Sequence, residues 1–193
     1  YAQWQRGWLQ GEVLEAELAY WRDQLAGIPQ VHSLPLDHSR PSKVSFKGAR
    51  FDTVMEAKLS ASINDLSKQQ GTTLFMTLQA AFAVLLARYS GEQDIVLGSP
   101  IANRTDENLS PLIGFFVNTL VLRTQIQGDP SFVELLADVK QTALDAYEHQ
   151  HIPFEMLVEA INPDRNMTHS PLFQVLFAVQ NNEMSEVALP GLT

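Results

Sequence analysis

The chain has 193 residues, a net charge of −9 from 13 basic and 22 acidic side chains, 45% hydrophobic residues and no cysteine. That length and apolar content suffice for one sizeable core or two small ones. The acidic balance disfavours nucleic acid and anionic membrane as partners, and the missing thiols exclude disulfides and thiolate metal sites and fit a reducing, cytoplasmic setting.

In chain order, 12–25 (EVLEAELAYWRDQL) carries Val13, Leu14, Leu18, Trp21 and Leu25 at helical spacing, stopped by Gly27 and Pro29. A long proline-punctuated connector follows, and 46–57 reads as a strand. Ser60 is the expected cap of a helix closing near Gly71. The most apolar segment, 73–89, is interrupted by Thr77 and Gln79 and reads as a core helix rather than a membrane span. Strands are expected at 95–102 and 115–126, a turn at Gly128-Asp129-Pro130, and a long amphipathic helix over 131–147. Pro153 suits the opening of a short helix, 172–180 reads as a last buried strand, and the polar tail as a frayed end. Strands that are continuously apolar are covered on both faces. The expected architecture is therefore a layered α/β sandwich.

A search for chemistry finds no complete set. His149-x-His151 would need a third metal ligand from elsewhere, and neither Glu148 nor Glu155 stands at a spacing diagnostic of zinc. A polar helix end, where histidine suits the helix dipole, accounts for both. Gly98-Ser99-Pro100 lacks the second glycine of a nucleophile elbow. The expectation is no catalytic residue and no metal site within these residues. Asn118 and Thr119 raise a separate question, because they place an amide and a hydroxyl inside an apolar strand just after Gly114.

Several segments together resemble the later core motifs of condensation domains from nonribosomal peptide synthetases. Tyr1-Ala-Gln-Trp-Gln-Arg6 resembles a motif ending in tryptophan followed by Gln-Arg. The stretch 113–123, IGFFVNTLVLR, resembles the family's Gly-x-Phe-Val-Asn-Thr motif. His149-Gln-His-Ile-Pro-Phe-Glu155 resembles His-Gln-Asp-x-Pro-Phe-Glu, with His151 in place of the aspartate. The stretch 164–173, DRNMTHSPLF, resembles the last motif, and YWRDQLAG and GSPIANR are also family-like. The family's His-His-x-x-x-Asp-Gly motif, which carries its catalytic histidine, does not occur in the chain.

The resemblance implies one half of a V-shaped fold like that of chloramphenicol acetyltransferase, with 1–193 as the C-terminal half and the histidine motif upstream. It implies an amide-forming reaction between carrier-bound thioesters, an inactive isolated half, and no cofactor bound beyond the phosphopantetheine arms of partner carrier domains. Implied partners are the N-terminal half, peptidyl carrier domains and an adjacent adenylation domain, with no nucleic acid or membrane. The alternatives are a non-catalytic carrier-binding platform, an epimerization domain, and a coenzyme A-dependent acyltransferase of the same fold. Family-matching positions at the substrate tunnel or the junction between halves are Trp4, Arg104, Asn118, Thr119, Arg123, Gln150, Pro153 and Arg165. Asn118 and Thr119 would hold a pantetheine amide, brace the junction, or satisfy buried backbone groups. An isolated half would also expose the surface that faced its partner and self-associate.

Overall fold

The computed structural model describes residues 1–45, 47–161 and 167–180. Helix α1 (Ala2–Trp8) is not expected from the sequence. It is short, but Trp4 and Trp8 lie one turn apart and stack with ring centroids 5.6 Å apart. Helix α2 (Gly11–Gln24) follows, and Gly27 turns the chain at φ +68°, where a Cβ would be strained. Helix α3 (Ala57–Gln69) begins three residues before Ser60. The Glu56 carbonyl accepts the Ser60 N–H at 2.9 Å, so Ser60 lies inside the first turn rather than capping it. Thr73 caps helix α4 (Leu74–Ser90) by accepting the Met76 N–H, and Gly91 closes it in the left-handed region.

Strand β1 (Asp94–Ile101) pairs antiparallel with strand β2 (Asn118–Gln125), Leu97 lying opposite Leu122 and Ile101 opposite Asn118. Leu120, Val121 and Leu122 are all buried. Alternate side chains point to opposite faces, so three consecutive buried residues mean that both faces are covered, as the apolar runs imply. Helix α5 (Phe132–Glu148) starts with a full capping box between Ser131 and Glu134. Helix α6 (Phe154–Ile161) starts one residue after Pro153.

Leu18 and Trp21 of α2, with Leu25 just after it, meet Leu120 and Leu122 of β2 and Leu157 of α6 in one core cluster. Met76 and Ala80 of α4 meet Leu135, Leu136 and Val139 of α5 in a second. Ala83 joins Ile95 and Leu97 in a third. Burying one leucine fully, as at Leu136, contributes about 1.5–3 kcal/mol.

Two expected strands are shorter or unpaired. Over 172–180 the pairing reduces to one parallel bridge, Gly98 with Leu176. The Phe173 ring occupies the space where a Gly98 Cβ would stand, so the chain meets β1 at its one residue without a side chain. Over 47–56 no ladder forms among the described residues, and the stretch is exposed throughout. Strand β2 also begins at Asn118 rather than at Phe115, and Ile113 and Phe115 protrude into solvent.

Candidate functional site

The turn between α5 and α6 is His149 to Pro153, and its polar backbone has to be satisfied. Asn118, the first residue of β2 and 8% exposed, does this. Its Nδ2 donates to the Gln150 carbonyl at 3.0 Å and the Ile152 carbonyl at 2.7 Å, while its Oδ1 accepts the Phe154 N–H at 3.0 Å. The amide therefore acts as a piece of backbone that seals two motifs together. From the other side, Trp21 Nε1 donates to the His149 carbonyl at 3.0 Å.

Beside this joint lies an open cleft of about 250 Å³. Tyr1, Gln5, residues 115–117, Asn118, Thr119, Pro153, Phe154 and Glu155 line it. Thr119 lies opposite Pro100 in the sheet and turns no side-chain bond inward among the described residues. Tyr1 and Glu155 are the titratable side chains among the lining residues, and no histidine lies among them. The lining thus offers amide, hydroxyl, carboxylate and aromatic groups.

Asn103 also lines the cleft, although only its neighbour Arg104 is taken as a candidate from the family-like GSPIANR segment. It sits at φ +51°, is 8% exposed, donates from Nδ2 to the Tyr1 hydroxyl at 3.3 Å, and its Oδ1 has no partner among the described residues. A signal is present, since asparagine tolerates the left-handed region after a strand. The motif match points instead to its neighbour Arg104. The Arg104 guanidinium lies 4.3 Å over the Phe116 ring, and donates to the Leu109 carbonyl and, at 3.0 Å, to the Leu112 carbonyl. It thereby ties the 104–116 loop into the shape that presents Phe116.

The other sequence candidates divide. Trp4 is half-exposed, stacked on Trp8, with Tyr1 at 5.7 Å and His151 edge-on at 6.4 Å, adjoining the cleft. Gln150 donates from Nε2 to the Tyr147 carbonyl at 2.7 Å, so its side chain closes α5. Arg123 lies about 17 Å along β2 from Asn118, at about 3.3 Å per residue. Its pairing is internal: two guanidinium nitrogens meet Asp94 at 2.7–3.2 Å and the third donates to the Gln24 and Ala26 carbonyls at 3.0 Å. The bonds to Asp94 push the Arg123 pKa further up, and the side chain locks the end of α2 onto the sheet. Arg165 falls outside the described residues.

The two histidines diverge. His149 stacks on Tyr20 at 4.0 Å and meets Glu17 Oε2 at 3.2 Å, whereas His151 packs edge-on against Trp8 at 5.0 Å. No group of three potential metal ligands occurs among the described residues. Burial first, then the charges of Asp145 and Glu148, push the Tyr20 hydroxyl up to about 12, so it stays a neutral phenol. No single described helix is long and apolar enough to cross a membrane.

The layered α/β core places the chain in the class with the chloramphenicol-acetyltransferase-like fold. The family model described as Condensation domain matches residues 1–191, and the chain belongs to that family, the condensation domains of nonribosomal peptide synthetases. One of the polypeptides of the linear gramicidin synthase of Brevibacillus parabrevis is 51% identical over 185 residues, 96% of this chain and 4% of that protein. The X-domain from teicoplanin biosynthesis superposes with a TM-score of 0.84 at 30% identity, covering 91% of this chain and 40% of that one. The four-domain nonribosomal peptide synthetase AB3403, solved in its holo form bound to AMP and glycine, superposes with a TM-score of 0.85 at 30% identity, over 87% of this chain and 13% of that one. The chain thus spans well under half the length of the relatives it matches.

Proposed function

We propose that the chain is the C-terminal half of a peptide-synthetase condensation domain and forms one wall of its reaction tunnel. In the reaction, the amine of a carrier-bound acceptor attacks the thioester carbonyl of a carrier-bound donor. The C–N bond forms, the C–S bond breaks, and the amine proton leaves with the donor carrier's thiol. The observation that carries this reading is the cleft where the family-like motifs meet: Asn118, Thr119 and Pro153 line it, and no histidine does. Binding and orientation of the phosphopantetheine arms fall to this half, and proton transfer to a His-His-x-x-x-Asp-Gly motif that these residues do not contain. Alone, the half is inactive. Its partners are the N-terminal half, two carrier domains and a neighbouring adenylation domain in the cytoplasm.

The test uses the longer polypeptide that joins this chain to its N-terminal half, with donor and acceptor carriers loaded. Intact-mass measurement should find the condensed product on the acceptor carrier and a free thiol on the donor. Carrier binding without condensation would instead support a non-catalytic platform.

A further inference from the structure

We infer that residues 48–56 are a β-strand that docks on the open edge of a sheet in the part of the condensation fold that this chain does not contain. This rests on the reading of the chain as one half of that fold.

The stretch, GARFDTVME, has the composition and alternation of a strand. Phe51, Thr53 and Met55 fall on one side, and Arg50, Asp52 and Val54 on the other. The chain between the connector and α3 has neither helix nor ladder, and Arg50 Nε reaches Asp52 Oδ1 at 2.7 Å, a contact between same-side neighbours of an extended backbone. No backbone group of 48–55 bonds to another described residue. Phe51 is 91% and Val54 93% exposed. An extended segment with apolar side chains on show, and with the backbone groups of 48–55 unbonded among the described residues, is a template for pairing.

This chain's own sheet does not receive it. Strand β1 has β2 on one edge and 175–177 on the other, and no backbone group of 48–55 bonds to the outer edge of β2. The exposed side of Met55 continues into the first turn of α3, where Leu59 is also exposed, so the uncovered surface runs on past the strand. The occupant follows from what is absent. This chain matches 91% of itself against the teicoplanin X-domain but only 40% of that chain, which leaves a body larger than this one to cover the surface. A backbone edge is the chemistry that satisfies 48–56, because strand pairing bonds main-chain groups that side-chain packing would leave bare.

Hydrogen exchange on the 193-residue chain and on the longer polypeptide tests this. In the short chain the amides of 48–56 should exchange at the rate of an unstructured peptide. In the longer one every second amide should slow by about 100-fold or more, since alternate N–H groups face a given neighbour. Fast exchange in both overturns the proposal. So does protection in the short chain that rises with its concentration, which would assign the strand to a second copy. The outcome is separable from catalysis. Amide formation with fast exchange at 48–56 removes the strand pairing and leaves the function standing, and protection without amide formation does the reverse.

Discussion

Replacing Asn118 removes more than a side chain, because its amide substitutes for backbone at three points. In Asn118→Ala the carbonyls of Gln150 and Ile152 and the N–H of Phe154 lose their partners at 3.0, 2.7 and 3.0 Å. Ile152 is buried, so water does not replace these bonds freely. At about 1 kcal/mol net for each, the loss comes to about 3 kcal/mol. For a chain of this size each kcal/mol moves Tm by about 2–4 °C, giving a drop of roughly 10 °C. Asn118→Asp separates the donors from the acceptor. It can still accept the Phe154 N–H, but sets a charged oxygen against two carbonyls, and should be no more stable than the alanine variant. Thermal unfolding followed by circular dichroism reads both, and hydrogen exchange should show the loosening confined first to 150–154. A Tm within about 1 °C of the parent chain would refute the reasoning, and would return Asn118 to a role facing a ligand.

Gly98→Ala drives a Cβ into the Phe173 ring and should cost about 1–3 kcal/mol in chemical denaturation, with much of the loss recovered in a Gly98→Ala/Phe173→Leu double variant. Arg123→Lys keeps the charge but loses the fork on Asp94 and the bonds that close α2, and should cost about 2 kcal/mol by the same measurement. Ser131→Ala should lower Tm at neutral pH, with a gap to the parent that narrows in acid. Hydrogen bonds from Ser131 hold the Glu134 carboxyl below its ordinary range, so its contribution is present above the unfolded carboxylate pKa and is lost as pH falls through the folded one. Light scattering of the 193-residue chain should show self-association driven by Ile113 and Phe115, and a stable monomer across the concentration range would count against that.

The helices are legible in the sequence because their signals are local. Spacing marks α2, α4 and α5, whereas the one cap expected from the sequence, Ser60, lies inside the first turn of its helix, and the caps at Thr73 and Ser131 emerge only in the structure. Helix α1 escapes such a reading because seven residues carry little periodic signal, and its contacts are aromatic: Trp4 stacks on Trp8, and His151 meets Trp8 edge-on. The strands are harder. A run such as 172–180 is apolar whether it forms a ladder or a single bridge, and only the fit of Phe173 over Gly98 decides between them. The same limit applies to the site. The oddity of an amide in an apolar strand is visible at Asn118, but its three partners lie 32–36 residues away, and no spacing rule connects them. Arg123 matches the motif as well as Asn118 does, yet sits at the other end of β2 on a partner, Asp94, that only the antiparallel register brings beside it.

The division of labour between this chain and the remainder of its domain is tested most directly by amide formation in matched reactions. One contains the 193-residue chain and loaded carriers, and the other the polypeptide that includes the His-His-x-x-x-Asp-Gly half. Condensed product in the second reaction alone, at a rate unchanged by His149→Ala, is the expected result. Product from the 193-residue chain by itself would contradict it and would place the chemistry on His149 or His151.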